Sequence, residues 1–347
     1  MPQPFYYGGQ ALIEGVLIRG QRNVRMAVRR PDGGIWTGPL PLSPLTSGAL
    51  RRIPLVRGVL VLIEALLMGM RGLNRSAEIA MADPDAPPVP NGELPKVGKT
   101  ERVSMAFTMA IALVFGIGIF FLLPLFGARS LDSYVESAVV SNVLEGVIRL
   151  GLLVGYIWLI GNIRDVKRVF AYHGAEHMTI HAYEHGRPLE AEEIEKFPTA
   201  HPRCGTAFLL TVVLVSVVVF TMVGRPALVW AVASRIALLP VIAAVSYEFL
   251  RFSGAHSDRA WAQMLAFPGL MLQKLTTRWP DRSQIEVAVA AMNSTLAADG
   301  VIEASGPLDD LRAVKDASSA AESSPEDGPL RRESAEEGQA AAEDEAR

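Results

Sequence analysis

The sequence predicts an α-helical integral membrane protein of about four transmembrane helices, with a small cytoplasmic β-rich unit at the N-terminus and a disordered acidic tail at the C-terminus. Three observations lead there. Half of the 347 residues are apolar and only a fifth are charged, and the apolar residues gather in long runs between Arg-rich stretches. The basic residues are shared unequally among the segments that separate those runs. From Glu303 onward the chain has 13 acidic and five basic residues among many Ala, Ser and Gly, a composition too polar to bury a core.

Residues 1–50 make up the β-rich unit. Val24 to Arg29 and Ile35 to Gly38 flank Pro31-Asp-Gly-Gly34, a turn signal between short apolar runs that predicts a hairpin. Ahead of it, Gly8 to Gly20 has apolar triplets on both sides of Glu14 and glycines that tolerate close backbone approach. Either this is a buried strand with turns, or Glu14 or Arg19 reaches a site. Residues 51–82 predict an amphipathic interfacial helix. Its charges Arg57, Glu64, Arg71 and Glu78 recur every seven residues, with Arg75 beside them, so they occupy one stripe of an otherwise apolar surface. Packed against the bundle, the same stripe would face a polar cavity instead. Five prolines between Asp83 and Gly98 make residues 83–104 a linker.

Met105 to Phe126 is 22 residues without a charge, enough at about 1.5 Å per residue to cross a hydrocarbon core of about 30 Å. Spans are therefore expected at 105–126, 142–161, 207–223 and 227–250, the last two joined by Gly224-Arg225-Pro226. Glu145 and Arg149 stand four apart and can pair on a helix, whereas Arg235 has no partner within its own span. Pro124 and Pro240 are placed to kink their helices. Residues 162–206 form a His-rich cytoplasmic segment, in which the second span continues as a helix to His185 and stops at Gly186 and Pro188. Residues 251–300 form a cytoplasmic helical segment, broken at Phe267-Pro-Gly269 and containing an amphipathic helix from Gln284 to Ala298. The acidic tail covers 301–347.

Residues 1–104 contain 13 Lys plus Arg and residues 162–206 contain six, against one each in 127–141 and 224–225. The positive-inside rule then puts both termini and the His-rich segment in the cytoplasm, at the cytoplasmic (inner) membrane. No secretory signal opens the chain. The single cysteine, Cys204, fits a reducing compartment. The tail contributes −8 to a net charge of −3, so the body carries about +5 and suits an anionic inner leaflet.

All six histidines fall between positions 173 and 256. His173-x-x-Glu176-His177 has the H-x-x-E-H spacing of one class of zinc hydrolases, in which two imidazoles bind metal and the carboxylate handles a proton. Residues four apart share a helix face, so His173 and His177 can aim at one ion. His181 and His185 extend the row, but each step of four drifts about 40°, so one straight helix does not supply four ligands. The others must come from elsewhere: His201 and Cys204 beside the third span, or Glu248 at the cytoplasmic end of the fourth. The competing structural reading bonds the histidines to Glu176 and Glu184 on a solvated face, caps Glu248 with Arg251 or Arg259, and leaves His256 to Asp258. No P-loop, dinucleotide fingerprint or Ser-His-Asp arrangement is present, and no basic and aromatic interleaving points to nucleic acid.

The runs Gly8-Gly-Gln-Ala-Leu-Ile-Glu-Gly-Val-Leu-Ile-Arg-Gly20, Tyr172-His-Gly-Ala-Glu-His177, His201-Pro-Arg-Cys-Gly-Thr206 and Pro268-Gly-Leu-Met-Leu-Gln273 resemble the YqhQ-like family of bacterial multi-pass membrane proteins, over about residues 5 to 290. That family carries a domain of unknown function labelled a predicted metal-dependent enzyme. The resemblance implies His173, Glu176, His177, His201 and Cys204 as the polar centre, with Glu14 and Glu248 as additions. A lysine is usual in the family where this chain has Met178, and His181 and His185 stand outside its core. The expected function is a metal-dependent hydrolase at the cytoplasmic membrane interface. His173, His177, His201, Cys204 and Glu248 are its candidate ligands for a divalent transition metal such as zinc, and Glu176 its catalytic residue. Its substrate would be lipid-linked or a peptide, its surroundings the lipid bilayer, and a homo-oligomer is compatible with the sequence. Two alternatives remain: a membrane scaffold or metal sensor with a structural zinc site, and a component of a small-solute transporter.

Overall fold

The computed structural model describes residues 5–41, 53–83, 99–256 and 259–302; most of the linker and nearly all of the acidic tail lie outside the described residues. Four strands, β1 (Gly8–Leu12), β2 (Gly15–Arg19), β3 (Val24–Arg29) and β4 (Ile35–Pro39), form an antiparallel sheet in the order of the chain. The hairpin expected at Pro31 to Gly34 is β3–β4, with Val28 opposite Trp36 and Gly33 at φ 85° in the turn. The Gly8 to Gly20 run is a second hairpin, turning at Ile13 and Glu14, and Glu14 takes φ 51°, an uncommon value for a residue with a Cβ. Both faces of the sheet are covered, which is why β2 reads as an unbroken apolar run. Leu12, Leu17, Met26, Val28 and Trp36 cluster with Ile79 of helix α1 (Val56–Ala80). Val16, Ile18 and Ala27, also fully buried, alternate to the other face, where α5 (Arg164–Glu184) and α11 (Arg282–Asp299) pack.

Helix α1 turns part of its charged stripe inward: Glu64 and Arg75 are buried, whereas Arg71 and Glu78 stay exposed. Glu64 pairs with Arg19 at 3.1 Å, and Arg57 reaches Glu248 of α9 (Leu239–Gly254) at 2.5 Å, while Ile63, Leu66 and Leu73 are exposed.

The rest of the fold is helical. Three stretches are long and apolar enough to cross a membrane: Ala106–Arg129, Ala138–Ile160 (α4) and Thr206–Val223 (α7). A fourth exists if α8 (Leu228–Ala237) and α9, bent by 45° at Leu238, count as one. Pro240 stands in the first turn after that bend. The first stretch joins α2 (Lys99–Ile117) to α3 (Leu123–Arg129) through a π-helical turn, Gly118–Leu122. Pro124 lacks the N–H that would bond the Phe120 carbonyl four residues back, and that carbonyl accepts from Arg149 Nε at 2.8 Å instead.

Two sequence expectations need correction. The second span does not run on as one helix: α4 ends at Ile160, Asn162 Nδ2 caps the Trp158 carbonyl at 2.7 Å, and α5 starts at Arg164. Phe267-Pro-Gly269 does not break the chain, because α10 (Ala260–Thr276) passes straight through it. Gly269 lies so close to Ala207 of α7 that a Cβ there would be 2.8 Å from the alanine Cβ, so tight packing on α7 outweighs the hydrogen bond that Pro268 removes. Arg235, without a charged partner in its own span, takes its partners from another helix: Glu145 at 2.6 Å and Asn142 Oδ1 at 3.1 Å.

Helix α5 is buried nearly all round from Ala171 to Ala182. Its Gly174 sits against the turn that follows α10, where Arg278 N–H donates to the Phe170 carbonyl at 2.9 Å. A Cβ at 174 would lie 2.2 Å from the Arg278 carbonyl oxygen, and backbone cannot retreat as a flexible side chain can. Gly174→Ala is therefore expected to destabilise the protein by about 2–3 kcal/mol. Thermal unfolding in detergent checks this, and an unchanged midpoint would contradict the close approach.

Candidate metal centre

Two bonds to main-chain carbonyls set the two histidines of the H-x-x-E-H run. His173 Nδ1 lies 2.9 Å from the Thr276 carbonyl and His177 Nδ1 lies 2.6 Å from that of Thr199. A carbonyl only accepts, so Nδ1 carries a proton in both rings, and in the neutral form of each ring Nε2 keeps its lone pair. Burial holds His177 below the usual imidazole range, which favours this neutral form. His173 Nε2 is 3.3 Å from Cys204 Sγ, and donor atoms of His173, His177 and Cys204 all lie within 4.8 Å of one another. The sulfur also accepts from the Thr206 N–H at 3.4 Å, at the start of α7. Two neutral imidazoles and a thiol make a donor set suited to a borderline metal such as zinc.

Glu176 flanks this trio. Its Oε2 is 3.9 Å from His177 Nε2, and its side chain is almost completely buried beneath β1. Burial raises its pKa to about 7, against the opposing effects of His173 and the Gly9 N–H. A carboxylate in that range can both take and return a proton near neutrality.

A second group stands next to the first. His181, Glu184 and His201 also bring donor atoms within 4.8 Å of one another, and the His177 and His201 ring centroids are 5.7 Å apart. His201 Nε2 faces Glu184 at 3.4 Å, so His201 belongs to this outer group and Cys204 alone joins His173 and His177. The loop holding both residues is fixed by Gln273, which is fully buried. Its side-chain amide accepts from the His201 N–H at 2.8 Å and donates to the His201 carbonyl at 3.0 Å.

Two carboxylates singled out in the sequence lie in neither group. Glu248 is held by the Arg57 guanidinium and the Leu55 N–H. Glu14 accepts two bonds from Arg168, each 2.5 Å, and one from Tyr172 at 3.2 Å, so it ties the β1–β2 turn to α5 one turn before His173. The sequence reading passed over Thr199, Thr276 and Gln273. The two threonines act through main-chain carbonyls, which residue type does not announce, whereas Gln273 ends one of the four family-like runs. It also set His181 aside, although the spacing of four had already put it on the same helix.

The hydrogen bonds from Arg168 hold Glu14 below the usual carboxylate range. A depressed folded-state pKa contributes stability above the unfolded value, here about 4.5, and that contribution is lost as pH falls through the folded value. Glu14→Gln should therefore lower stability at neutral pH by about 1 kcal/mol or less, since both groups are partly exposed. The difference from the parent should vanish in acid. Equal melting curves at pH 7 would contradict it.

No solved structure matches this chain. It is 34% identical over 302 residues to the uncharacterized protein YqhQ of Bacillus subtilis (strain 168), a match covering 86% of this chain and 95% of that protein. A family model described as "Protein of unknown function (DUF1385)" matches residues 53–298, which include every histidine, Cys204 and Gln273. The chain belongs to the YqhQ-like, DUF1385 family.

Proposed function

We propose that this chain is a multi-pass protein of the cytoplasmic (inner) membrane and a metal-dependent hydrolase, with its site at the cytoplasmic boundary and both termini on that side. The membrane reading is supported by an inverted surface. Phe107, Val114, Phe115, Trp158, Leu159, Met222 and Val229 are exposed on the apolar helices, while Glu145, Arg149 and Arg235 of the same helices are buried. Apolar residues outside and charges inside suit a hydrocarbon solvent. The unequal sharing of Lys and Arg among the connecting segments supports the orientation.

The observation that carries the enzymatic reading is the convergence of His173, His177 and Cys204 within 4.8 Å, beside a buried carboxylate, Glu176, on the same helix. Three protein ligands leave a fourth position open, the pattern of catalytic rather than structural zinc sites. A divalent transition metal held there would supply Lewis acidity toward a carbonyl or phosphoryl oxygen. His173 and His177 would hold it through Nε2, their rings kept in place by the Thr276 and Thr199 carbonyls, and Glu176 would hold and return a proton. Lipid-linked molecules and peptides are the substrates that a site at this boundary would meet.

A second reading has its own support. Glu176, His177 and Cys204 are all under one-tenth exposed, a degree of enclosure that suits a structural zinc site in a scaffold or sensor.

Elemental analysis of detergent-purified protein should find about one transition metal per chain, and none in the His173→Ala, His177→Ala double variant. Metal absent from the parent after reconstitution would remove the proposal. Glu176→Gln separates the two readings: metal retained with cellular function reduced by about 10²-fold or more supports the enzyme, whereas metal and function both retained supports the structural site.

A further inference from the structure

At the opposite ends of α4 and α7 from the histidines, three helices and a turn enclose a second polar centre. Glu145, Arg149 and Arg235 are each at most 2% exposed. Glu145 bridges the two arginines, at 2.5 Å to Arg149 and 2.6 Å to Arg235. Arg149 also donates to Ser216 Oγ at 2.5 Å and the Phe120 carbonyl at 2.8 Å, and its guanidinium lies over the Phe121 and Phe220 rings. Arginine keeps its proton in proteins, so this buried trio carries one positive charge that its own carboxylate does not balance. A buried charge left without a counter-charge is costly even after relaxation.

A small pocket opens beside the trio. It is lined by Arg129, Arg225, Arg235, Ser141, Asn142 and the Gly224–Pro226 turn, with the Glu145 carboxylate, already shared by two arginines, also on its wall and Leu125 and Ala128 closing it, and it has room for a particle about the size of a water molecule. The rim adds to the imbalance. Arg225 pairs with Asp132, whereas Arg129 is bonded to a neutral acceptor, the Pro226 carbonyl. Four arginines thus meet two carboxylates among the groups that line this pocket or are bonded at it.

We propose that the pocket is a binding site for a small monovalent anion of chloride size, held against Arg235 and closed by Arg129 and Arg225. The anion supplies the missing counter-charge and joins α3, α4, α8 and the 224–226 turn at that end of the bundle. The free space is about that of one water, so a phosphate or a carboxylate ligand is excluded, and a monatomic anion is the largest class that a small outward shift of the Arg129 and Arg225 side chains at the rim would admit. The site stands independently of the metal centre.

The test uses the full chain in detergent, exchanged into sodium gluconate and titrated with sodium chloride or bromide at constant ionic strength. Ligand binding to the folded state alone raises the unfolding midpoint. The expected result is a saturable rise of a few degrees with either halide, accompanied by ³⁵Cl NMR line broadening that bromide displaces. Arg235→Gln should abolish both effects. If that variant does not fold, Arg129→Gln should fold and raise the halide concentration giving half the effect several-fold. Equal stability in gluconate, chloride and bromide, with no displaceable broadening, would mean that the pocket holds only water and overturn the proposal. So would an undiminished halide effect in folded Arg235→Gln.

Discussion

Burial of a polar helix is the constraint on which the arrangement turns. Helix α5 has Glu176 and His177 in its fully buried stretch, with His173 and His181 beside them, and unmatched polar groups in such a place cost more than their net contribution when paired. Its partners come from backbone that has none of its own. Thr276 is the last residue of α10, where a helix leaves its carbonyls unbonded, and its carbonyl accepts the hydrogen bond that His173 Nδ1 donates. Thr199 and Ala200 lie in the loop before α7, and their carbonyls take His177 and His181. The imidazoles therefore satisfy orphan acceptors, and that same need turns the unprotonated nitrogens of His173 and His177 toward Cys204.

The apolar helices obey the same accounting at greater stakes. Pro124 frees the Phe120 carbonyl, and Arg149 uses it. Arg235 would be intolerable alone, but Glu145 and Asn142 of α4 reach it, and it lies over the Phe220 ring. An intrahelical pair such as Glu145 with Arg149 is local and was legible from spacing. The Arg235 link joins residues 90 positions apart, so no window of sequence could have supplied it.

That difference between local and non-local signals separates what was legible from what was not. The β3–β4 hairpin was readable because Pro31 to Gly34 encodes its own turn, and α11 because its amphipathic pattern runs from Gln284 to Ala298, although the capping box of Asp281 and Gln284 that starts it was not read. The α4–α5 break was missed because its signals, Gly161 and Asn162, are weak beside the long apolar run before them. The reading of Phe267-Pro-Gly269 failed because Gly269 serves packing against Ala207, a contact over sixty residues distant. At the site, spacing of four on one helix correctly brought His173 and His177 together, and residue chemistry brought in Cys204. Glu248 was misplaced for a plain reason: a carboxylate near a helix end needs a cation, and Arg57, far away in sequence, satisfies it.

His201 and Cys204 part company although they are three residues apart, and the turn between them explains why. Cys204 N–H donates to the His201 carbonyl at 3.2 Å, and Gln273 clamps His201 on both main-chain sides, so the peptide planes are fixed and the two side chains leave in different directions. One loop thereby feeds two donor groups whose surroundings differ. The outer group contains Glu184, which is already paired with Arg203, and a cation there competes with any metal for the carboxylate. The inner group has no cationic side chain bonded to its donors among the described residues, and its sulfur faces a helix N-terminus. Charge therefore favours the inner group for a first metal, and the buried Glu176 flanks that same group.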